Sequence, residues 1–358
     1  MSPETDAPTT ALTRRLGIRL PILQAPMAGS TTPELVAAVT EAGGLGGHGC
    51  GYQEPEAIRE TIAAIRRLTG GPFQVNLFTS DAARGDDAAA ADPDAANAAL
   101  QPIRAELGLP QPALPERAAP DFGRQVEAVL ADPPAAVSFT FGVPDDAVLK
   151  ACRDAGALVL GTATTLSEAV IWQHTGRVDA VIAQGSEAGG HRGTFSVPDD
   201  DGLVGLLPLL QELAHTLEIP FVAAGGIMTG AGIAAALAAG AGAAQLGTAF
   251  LTTDECGAPA AYKHALAAAR DDGTRLTRAV SGKPARGLRN RFMLELEDAP
   301  VAAYPLQNAL TRDIRAEAAR QGRAEFLSLW AGQGASLCRR LPAAELMAAL
   351  EAELAAAG

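Results

Sequence analysis

The chain has little of several things, and each shortage closes off a class of function. Four cysteines occur in 358 residues: Cys50, Cys152, Cys256 and Cys338. No two are close enough for a CxxC pair, which excludes a zinc knuckle and a thioredoxin-like redox motif. Thiols scattered this way through a long chain read as reduced and cytoplasmic. Lysine is scarcer: Lys150, Lys263 and Lys283 are the only ones among 28 basic residues, and the formal net charge is −13. A chain so acidic offers no groove for nucleic acid and no surface for an anionic membrane. Residues 1–13 are polar and lack the apolar core of a secretion signal. The longest apolar run, 231–251, is mostly Ala and Gly and is broken by Gly240 and Gly242. It reads as a helix, a turn and a buried strand, not as a membrane span. Neither GxxxxGK[ST] nor a nucleophile elbow occurs. Glu187 and His191 do not make an HExxH pair, and no second histidine sits at ligand spacing, so no metal site is expected.

What is abundant is apolar. Hydrophobic residues are 48% and charged residues 19%, enough to bury a large core and to exclude general disorder. Short apolar runs alternate with helical patterns. Strands are expected at 22–26, 44–47, 73–77, 136–139, 157–160, 180–183, 221–224 and 243–246. Helices are expected at 33–42, with Thr32 as cap and Pro33 at its first position, at 56–68 and at 145–155. The strands are continuous apolar runs, as suits parallel strands buried on both faces. Eight βα units within about 250 residues are the arithmetic of a (β/α)8 TIM barrel, although an open doubly wound sheet carries the same local pattern. Two stretches break the rhythm. Residues 79–121 are rich in Ala, Asp and Pro, with a helix opening at Asp92-Pro93, and read as a lid or a plain insertion. Residues 252–329 hold helical patterns at 258–270 and 307–321 and read as a small, mainly helical addition over one end of the barrel. A final helix at 342–357 is expected to return to the barrel wall.

Several motifs fall at expected strand ends, which in a barrel face the active site. The run Gly44 to Gly49 formally matches GxGxxG. A strand and a helix already precede it, so its glycines read better as allowing close packing or the approach of a ligand. Ala25, Pro26 and Met27 follow the first strand and offer a rigid apolar surface suited to a flat ring, or simply close a strand. Asn76 carries an amide for a heterocycle or a phosphate ester, or caps a turn. Residues 184–193, QGSEAGGHRG, place His191 among glycines directly after the sixth strand. An imidazole there is well placed to move a proton. Gly225 and Gly226 close the seventh strand, and Gln245-Leu246-Gly247-Thr248 closes the eighth. Glycines in both loops favour a phosphate held by backbone N–H groups and the Thr248 hydroxyl. Glu295, Glu297 and Asp298 read as a solvated charged face.

Taken in order, QAPM (24–27), FQVNLF (73–78), VSFTFG (137–142), QGSEAGGHRG (184–193), AAGGI (223–227) and QLGTAFL (245–251) resemble the nitronate monooxygenases, formerly 2-nitropropane dioxygenases. The likeness continues in SGKPARGLRNRF (281–292), AYPLQ (303–307) and WAGQG (330–334). The resemblance implies a TIM barrel holding FMN without a covalent bond, built from 1–251 with 335–358, and a helical unit at 252–334 that covers the substrate. It implies that Ala25, Pro26 and Met27 lie along the isoalloxazine and that Asn76 and Gln184 hydrogen-bond it. Gly189, Gly226, Gln245, Leu246, Gly247 and Thr248 would hold the ribityl phosphate. His191 matches the family's active-site histidine, and Tyr304 would reach the substrate pocket. The implied reaction is oxidative denitrification of alkyl nitronates, such as propionate 3-nitronate, with O2 to carbonyl compounds and nitrite, in the family expectation a detoxification. His191 serves it either as an imidazolium that stabilises an anion or as a neutral base toward a nitroalkane. The rivals are an FMN-dependent enoyl-acyl-carrier-protein reductase using NAD(P)H and a flavin-binding barrel without turnover. AYPLQ and WAGQG fit the monooxygenase better. Oligomeric state is left open.

Overall fold

The computed structural model describes residues 8–79 and 90–357. Its strands are β1 (Ile22–Gln24), β2 (Gly46–Gly49), β3 (Phe73–Phe78), β4 (Ala136–Thr140), β5 (Leu158–Ala163), β6 (Ala180–Gln184), β7 (Gly190–His191), β8 (Phe221–Ala224), β9 (Ala243–Leu246), β10 (Thr274–Thr277) and β11 (Ala285–Leu288). Eight of them form one parallel sheet in the order β1-β9-β8-β6-β5-β4-β3-β2. A parallel bridge between Leu23 and Leu45 joins its two ends, so the sheet closes on itself. Helices stand outside it between successive strands. This is the expected (β/α)8 barrel, and the open-sheet alternative falls with the closing bridge.

The local chemistry follows the sequence. Thr32 accepts a hydrogen bond from Leu35 N at 3.1 Å and starts the helix Pro33–Glu41, with proline in its first turn. The strand expected at 44–47 sits two residues later, at Gly46–Gly49, and Gly46 packs closely against the preceding helix. A Cβ there would lie 2.3 Å from the Val36 carbonyl oxygen. The GxGxxG match is thus a barrel strand pressed against a helix, with no dinucleotide turn. The run 231–251 divides as expected into the helix Gly230–Ala238, a turn and β9. No helix among the described residues is long and apolar enough to cross a membrane. The last helix, Ala343–Ala357, does return to the wall: Glu353 accepts from Gly230 N at 2.7 Å.

The barrel interior is apolar at its N-terminal end. Leu23, Leu45, Leu160, Val222 and their neighbours meet Leu12, Leu16 and Ile18, which the helix Ala11–Leu16 inserts as a plug. Each such side chain contributes about 1.5–3 kcal/mol by leaving water.

The additions outside the barrel differ from expectation in two ways. Asp92 caps the helix Pro93–Ala99 as foreseen, and a second helix, Gln101–Leu107, follows. Residues 80–89 of the stretch read as a lid or insertion lie outside the described residues. The remainder is pinned by Arg104, wholly buried, which donates to Asp313 at 3.0 Å and to the Leu310 carbonyl at 2.6 Å. The helical pattern 307–321 is two helices, Leu306–Leu310 and Arg312–Gln321. Thr311 between them gives its hydroxyl proton to the Val280 carbonyl at 2.6 Å. A three-stranded antiparallel sheet, β10-β11-β7, was not expected. Residues 285–288, Ala-Arg-Gly-Leu, carry no strand pattern, since Gly287 is there to let the backbone pass against Leu329, whose carbonyl oxygen a Cβ would meet at 2.7 Å.

Candidate active site

A cavity with about 1260 Å3 of atom-free space, partly open to solvent, sits at the C-terminal ends of the barrel strands. Its wall is drawn from the ends of β1, β3, β4, β6, β8 and β9 and from the segments after them. Of the residues singled out in the sequence, Ala25, Pro26, Met27, Asn76, Gln184, Gly189, His191, Gly226, Gln245, Gly247 and Thr248 all line it. Leu246 does not. Its side chain is 1% exposed in the barrel wall, and its carbonyl oxygen takes the Ala25 N–H at 2.8 Å. Tyr304 stands just behind the wall, its ring 5.9 Å from that of His191.

The floor is apolar and rigid. Met27 N donates to Thr31 Oγ1 at 2.9 Å, and the hydroxyl returns its proton to the Met27 carbonyl at 3.1 Å, locking the turn after β1. One end of the cavity is rich in unused donors. The N–H groups of Gly189, Gly226 and Gly247 find no acceptor among the described residues. Thr248 Oγ1 accepts from Gly332 N at 3.0 Å and keeps its own proton for a further acceptor. Gly226 has φ +68°, which strains any other residue, and a Cβ on Gly189 would lie 2.6 Å from the Ala331 carbonyl carbon, so that position has no room for a side chain. Free N–H groups lining one cavity can seat an anion without a lysine.

The amides are arranged less freely. Asn76 Nδ2 lies 3.0 Å from Ser138 Oγ and 3.1 Å from Thr140 Oγ1, leaving Oδ1 without a partner among the described residues. Gln184 is committed at both ends: Nε2 donates to the His191 carbonyl at 3.0 Å and Oε1 accepts from Gly193 N at 2.9 Å. It clamps the glycine-rich loop, and only its second Nε2 proton remains for a ligand. Gln245 Oε1 accepts from Gln74 Nε2 at 3.3 Å, which turns its own Nε2 toward other partners.

The opposite end is an aromatic chamber around His191. Phe141 and Trp330 lie with ring centroids 5.7 and 5.5 Å from the imidazole, and Phe78 lies at 6.5 Å. Tyr52 and Tyr304 bring their hydroxyls to 3.5 Å. The chain has only three tyrosines and two tryptophans, yet Tyr52, Tyr262 and Trp330 line the cavity and Tyr304 backs it. Phe141 has φ +74°, a strained backbone for a bulky residue. Sequence reasoning missed Tyr52, Tyr262, Phe78 and Phe141, and gave Trp330 no role. A signal existed for two of them, since Phe78 lies two residues beyond Asn76 and Phe141 just past the end of β4.

Removal from water holds His191 far below the ordinary histidine value, to about 3, with the Lys283 and Arg315 cations adding to the effect. It is therefore a neutral imidazole at neutral pH. Burial raises the Tyr52 and Tyr304 phenols, so both stay protonated. Lys283 Nζ lies 5.2 Å from the Phe141 ring centroid and 3.9 Å from Asp199. The chamber thus has a neutral acceptor in a positive setting. Glu297, expected on a solvated face, pairs with Arg275 at the surface, away from the cavity wall.

Comparison with known proteins adds the following. The sequence model of the nitronate monooxygenase family matches residues 9–353. A probable nitronate monooxygenase of Staphylococcus saprophyticus is 41% identical over 340 residues, 94% of each chain, and one of Staphylococcus aureus is 38% identical over 339 residues, also 94% of each. Among solved structures, nitroalkane oxidase from Streptomyces ansochromogenes superposes with a TM-score of 0.90 at 46% identity, covering 97% of this chain and 99% of that one. FabK from Thermotoga maritima gives 0.76 at 29% identity, with 97% and 96% covered.

Proposed function

The chain belongs to the nitronate monooxygenase family, a family of flavin-dependent oxidoreductases, and from that premise we propose that it is a cytoplasmic enzyme that uses FMN and O2 to convert alkyl nitronates, propionate 3-nitronate among them, into carbonyl compounds and nitrite. The observation that carries the reading is one cavity with an apolar floor, uncommitted backbone donors at one end and a neutral imidazole in an aromatic chamber at the other. These parts fit a phosphorylated flavin. The N–H groups of Gly189, Gly226 and Gly247 with the Thr248 hydroxyl would hold the phosphate. Ala25, Pro26 and Met27 would support the ring system, and Gln245, Asn76 and the second Nε2 proton of Gln184 would satisfy its polar edge. When bound, the flavin supplies the redox chemistry between substrate and O2.

The chain's own residues do the rest. Phe78, Phe141 and Trp330 keep water from the chamber, which strengthens every charge interaction inside it. The Lys283 and Arg315 cations favour an anionic nitronate over its neutral acid. His191, neutral at its low value, is an acceptor for the α-proton of a nitroalkane and not a cation for a nitronate. Of the two roles left open by the sequence, the base is the one this setting supports.

The second reading, an FMN-dependent enoyl-acyl-carrier-protein reductase, is favoured by the likeness to FabK. Purified protein separates the two. The flavin released on denaturation should be FMN, and nitrite should appear with O2 uptake on propionate 3-nitronate and on ethyl nitronate. Bleaching by NADH in the absence of air with no nitrite release would transfer the protein to the second reading. A protein that stays colourless after FMN is added would sink both.

A further inference from the structure

Tyr52 enters the chamber on the turn after β2. Gln125, 2% exposed, holds that turn: its Nε2 donates to the Gln53 carbonyl at 2.8 Å and to the Cys50 carbonyl at 3.2 Å. Gly51 lets the turn press against Phe78, whose Cδ2 a Cβ would meet at 2.4 Å. The Tyr52 ring then stands edge-on to Phe78, with centroids 5.1 Å apart. Tyr304 arrives from the segment before the helix Leu306–Leu310 and packs its ring 5.5 Å from that of Phe141. Phe78 and Phe141 touch each other, and across this pair the two phenol oxygens come to 3.5 Å.

Each phenol has one proton to give. Tyr304 is 6% exposed, does not line the cavity and has no other acceptor among the described residues, so its proton goes to Tyr52. Tyr262 gives its own to the Trp330 carbonyl. Of the three tyrosines, Tyr52 is the one that lines the cavity with its proton uncommitted among the described residues. Burial raises the Tyr52 phenol and keeps that proton in place. The hydrogen bond from Tyr304 and the Arg315 and Arg312 cations act the other way and polarise the O–H toward an acceptor. Phe78 neighbours both the Tyr52 and the His191 rings, so the chamber offers a donor beside its base.

We propose that Tyr52 is a substrate-binding residue: its phenol donates a hydrogen bond to an oxygen of the nitro or nitronate group, and Tyr304 is a positioning residue that holds the Tyr52 oxygen from behind. The assignment rests on the reading of the substrate as a nitronate or its parent nitroalkane. A nitronate carries negative charge on those oxygens from the start. A nitroalkane gains it as His191 takes the α-proton: the C–H bond breaks, its electron pair moves into the nitro group, and the proton stays on the imidazole. Tyr52 keeps its own proton throughout and answers the charge.

The test uses the FMN-loaded enzyme, with Tyr52→Phe and Tyr304→Phe checked for an unchanged visible spectrum and thermal midpoint. Tyr52→Phe should raise KM for ethyl nitronate about tenfold and leave kcat within about twofold, because a hydrogen bond to an anion already charged in the ground state is lost. With nitroethane the loss should fall on kcat instead, because the oxygens gain charge only as the proton leaves. Tyr304→Phe should shift the same constants only about two- to threefold, since it acts through Tyr52. Nitrate offers similar planar oxygens without an α-carbon. Titrated against the visible spectrum of the bound flavin, it should bind about tenfold more weakly to Tyr52→Phe. An unchanged KM for ethyl nitronate in Tyr52→Phe overturns the proposal, and a rise confined to Trp330→Phe would give the role to that indole N–H. A loss in Tyr304→Phe as large as in Tyr52→Phe overturns the order of the two phenols. If no nitronate yields nitrite, the proposed function fails and the nitrate titration alone decides Tyr52: a tenfold loss in Tyr52→Phe keeps the phenol as an oxyanion donor, and equal binding or none removes it.

Discussion

The two ends of the barrel are built from the same eight strands and treat polar groups in opposite ways. At the N-terminal end Thr10 and Thr13 satisfy each other's backbone N–H groups at 2.9 and 3.1 Å, and Thr10 also gives its hydroxyl proton to the Gly242 carbonyl. Asp179, 4% exposed, accepts from Val159 N at 2.8 Å and from Arg153 at 2.9 Å. Apolar side chains from the plug helix fill what is left. At the C-terminal end the Gly189, Gly226 and Gly247 N–H groups find no acceptor among the described residues, and Phe141 holds a strained backbone. Unpaired polar groups weaken a fold. Their collection at one end marks where a ligand completes the structure, in the way barrels divide stability from catalysis.

The sharpest way to break this contrast is at the imidazole. His191→Asn should keep its flavin, seen as an unchanged visible spectrum per mole of protein, and lose roughly 10²–10⁴ in kcat/KM for a neutral nitroalkane. Steady-state kinetics equal to the wild type would remove His191 from the chemistry. The matching change at the other end is Leu16→Ala, 2% exposed in the plug. It should lower stability by about 2–5 kcal/mol, read as a fall in the denaturant midpoint, with kcat unchanged below the transition. If kcat fell as well, the ends would not be separable.

How far the sequence reveals each end follows from what makes them. Continuous apolar runs and their spacing announce the barrel, because burial on both faces leaves a pattern in the chain. The glycine-rich strand ends announce the ligand end, because only glycine leaves N–H groups open for a close approach. The chamber was far less legible. Tyr52, Tyr304 and Trp330 come from segments with no periodic pattern, and what unites them is a tertiary contact. The sheet β10-β11-β7 escaped for a related reason: Arg286 and Gly287 suit a close backbone crossing, not a strand propensity. Ser281 stood in a motif with no assigned role. Its contact with His191, at 2.8 Å across 90 residues of chain, is one that no local reading supplies.

A smaller effect is expected from filling the donor end. Gly226→Ala places a side chain at φ +68° and a Cβ 3.2 Å from that of Glu187. Holding the turn in its binding conformation then costs about 1 kcal/mol, so FMN should bind roughly fivefold more weakly, measured by fluorescence titration of the flavin-free protein. Unaltered affinity would mean that the free N–H groups of this turn do not serve the cofactor.

The smallest expected effect is a flat line, and it separates the two ends by pH. His191 is depressed from 6.5 to about 3 by burial first, then by the Lys283 and Arg315 cations, and His48, buried against the outer barrel wall, falls to about 4 by burial alone. With both values lowered in the folded state, the unfolded chain takes up protons first. Stability from these groups is therefore complete above about pH 6.5 and declines as pH falls toward 4, by up to about 1.4 kcal/mol per pH unit for each histidine. Turnover of a neutral nitroalkane should nevertheless change less than about twofold between pH 8 and 5.5, because His191 stays a base throughout. An inflection in kcat/KM near pH 6.5, the value of an unburied histidine, would mean that water reaches the imidazole freely. In that case the chamber is not the dry, ligand-ready end that its unused donors and crowded rings describe.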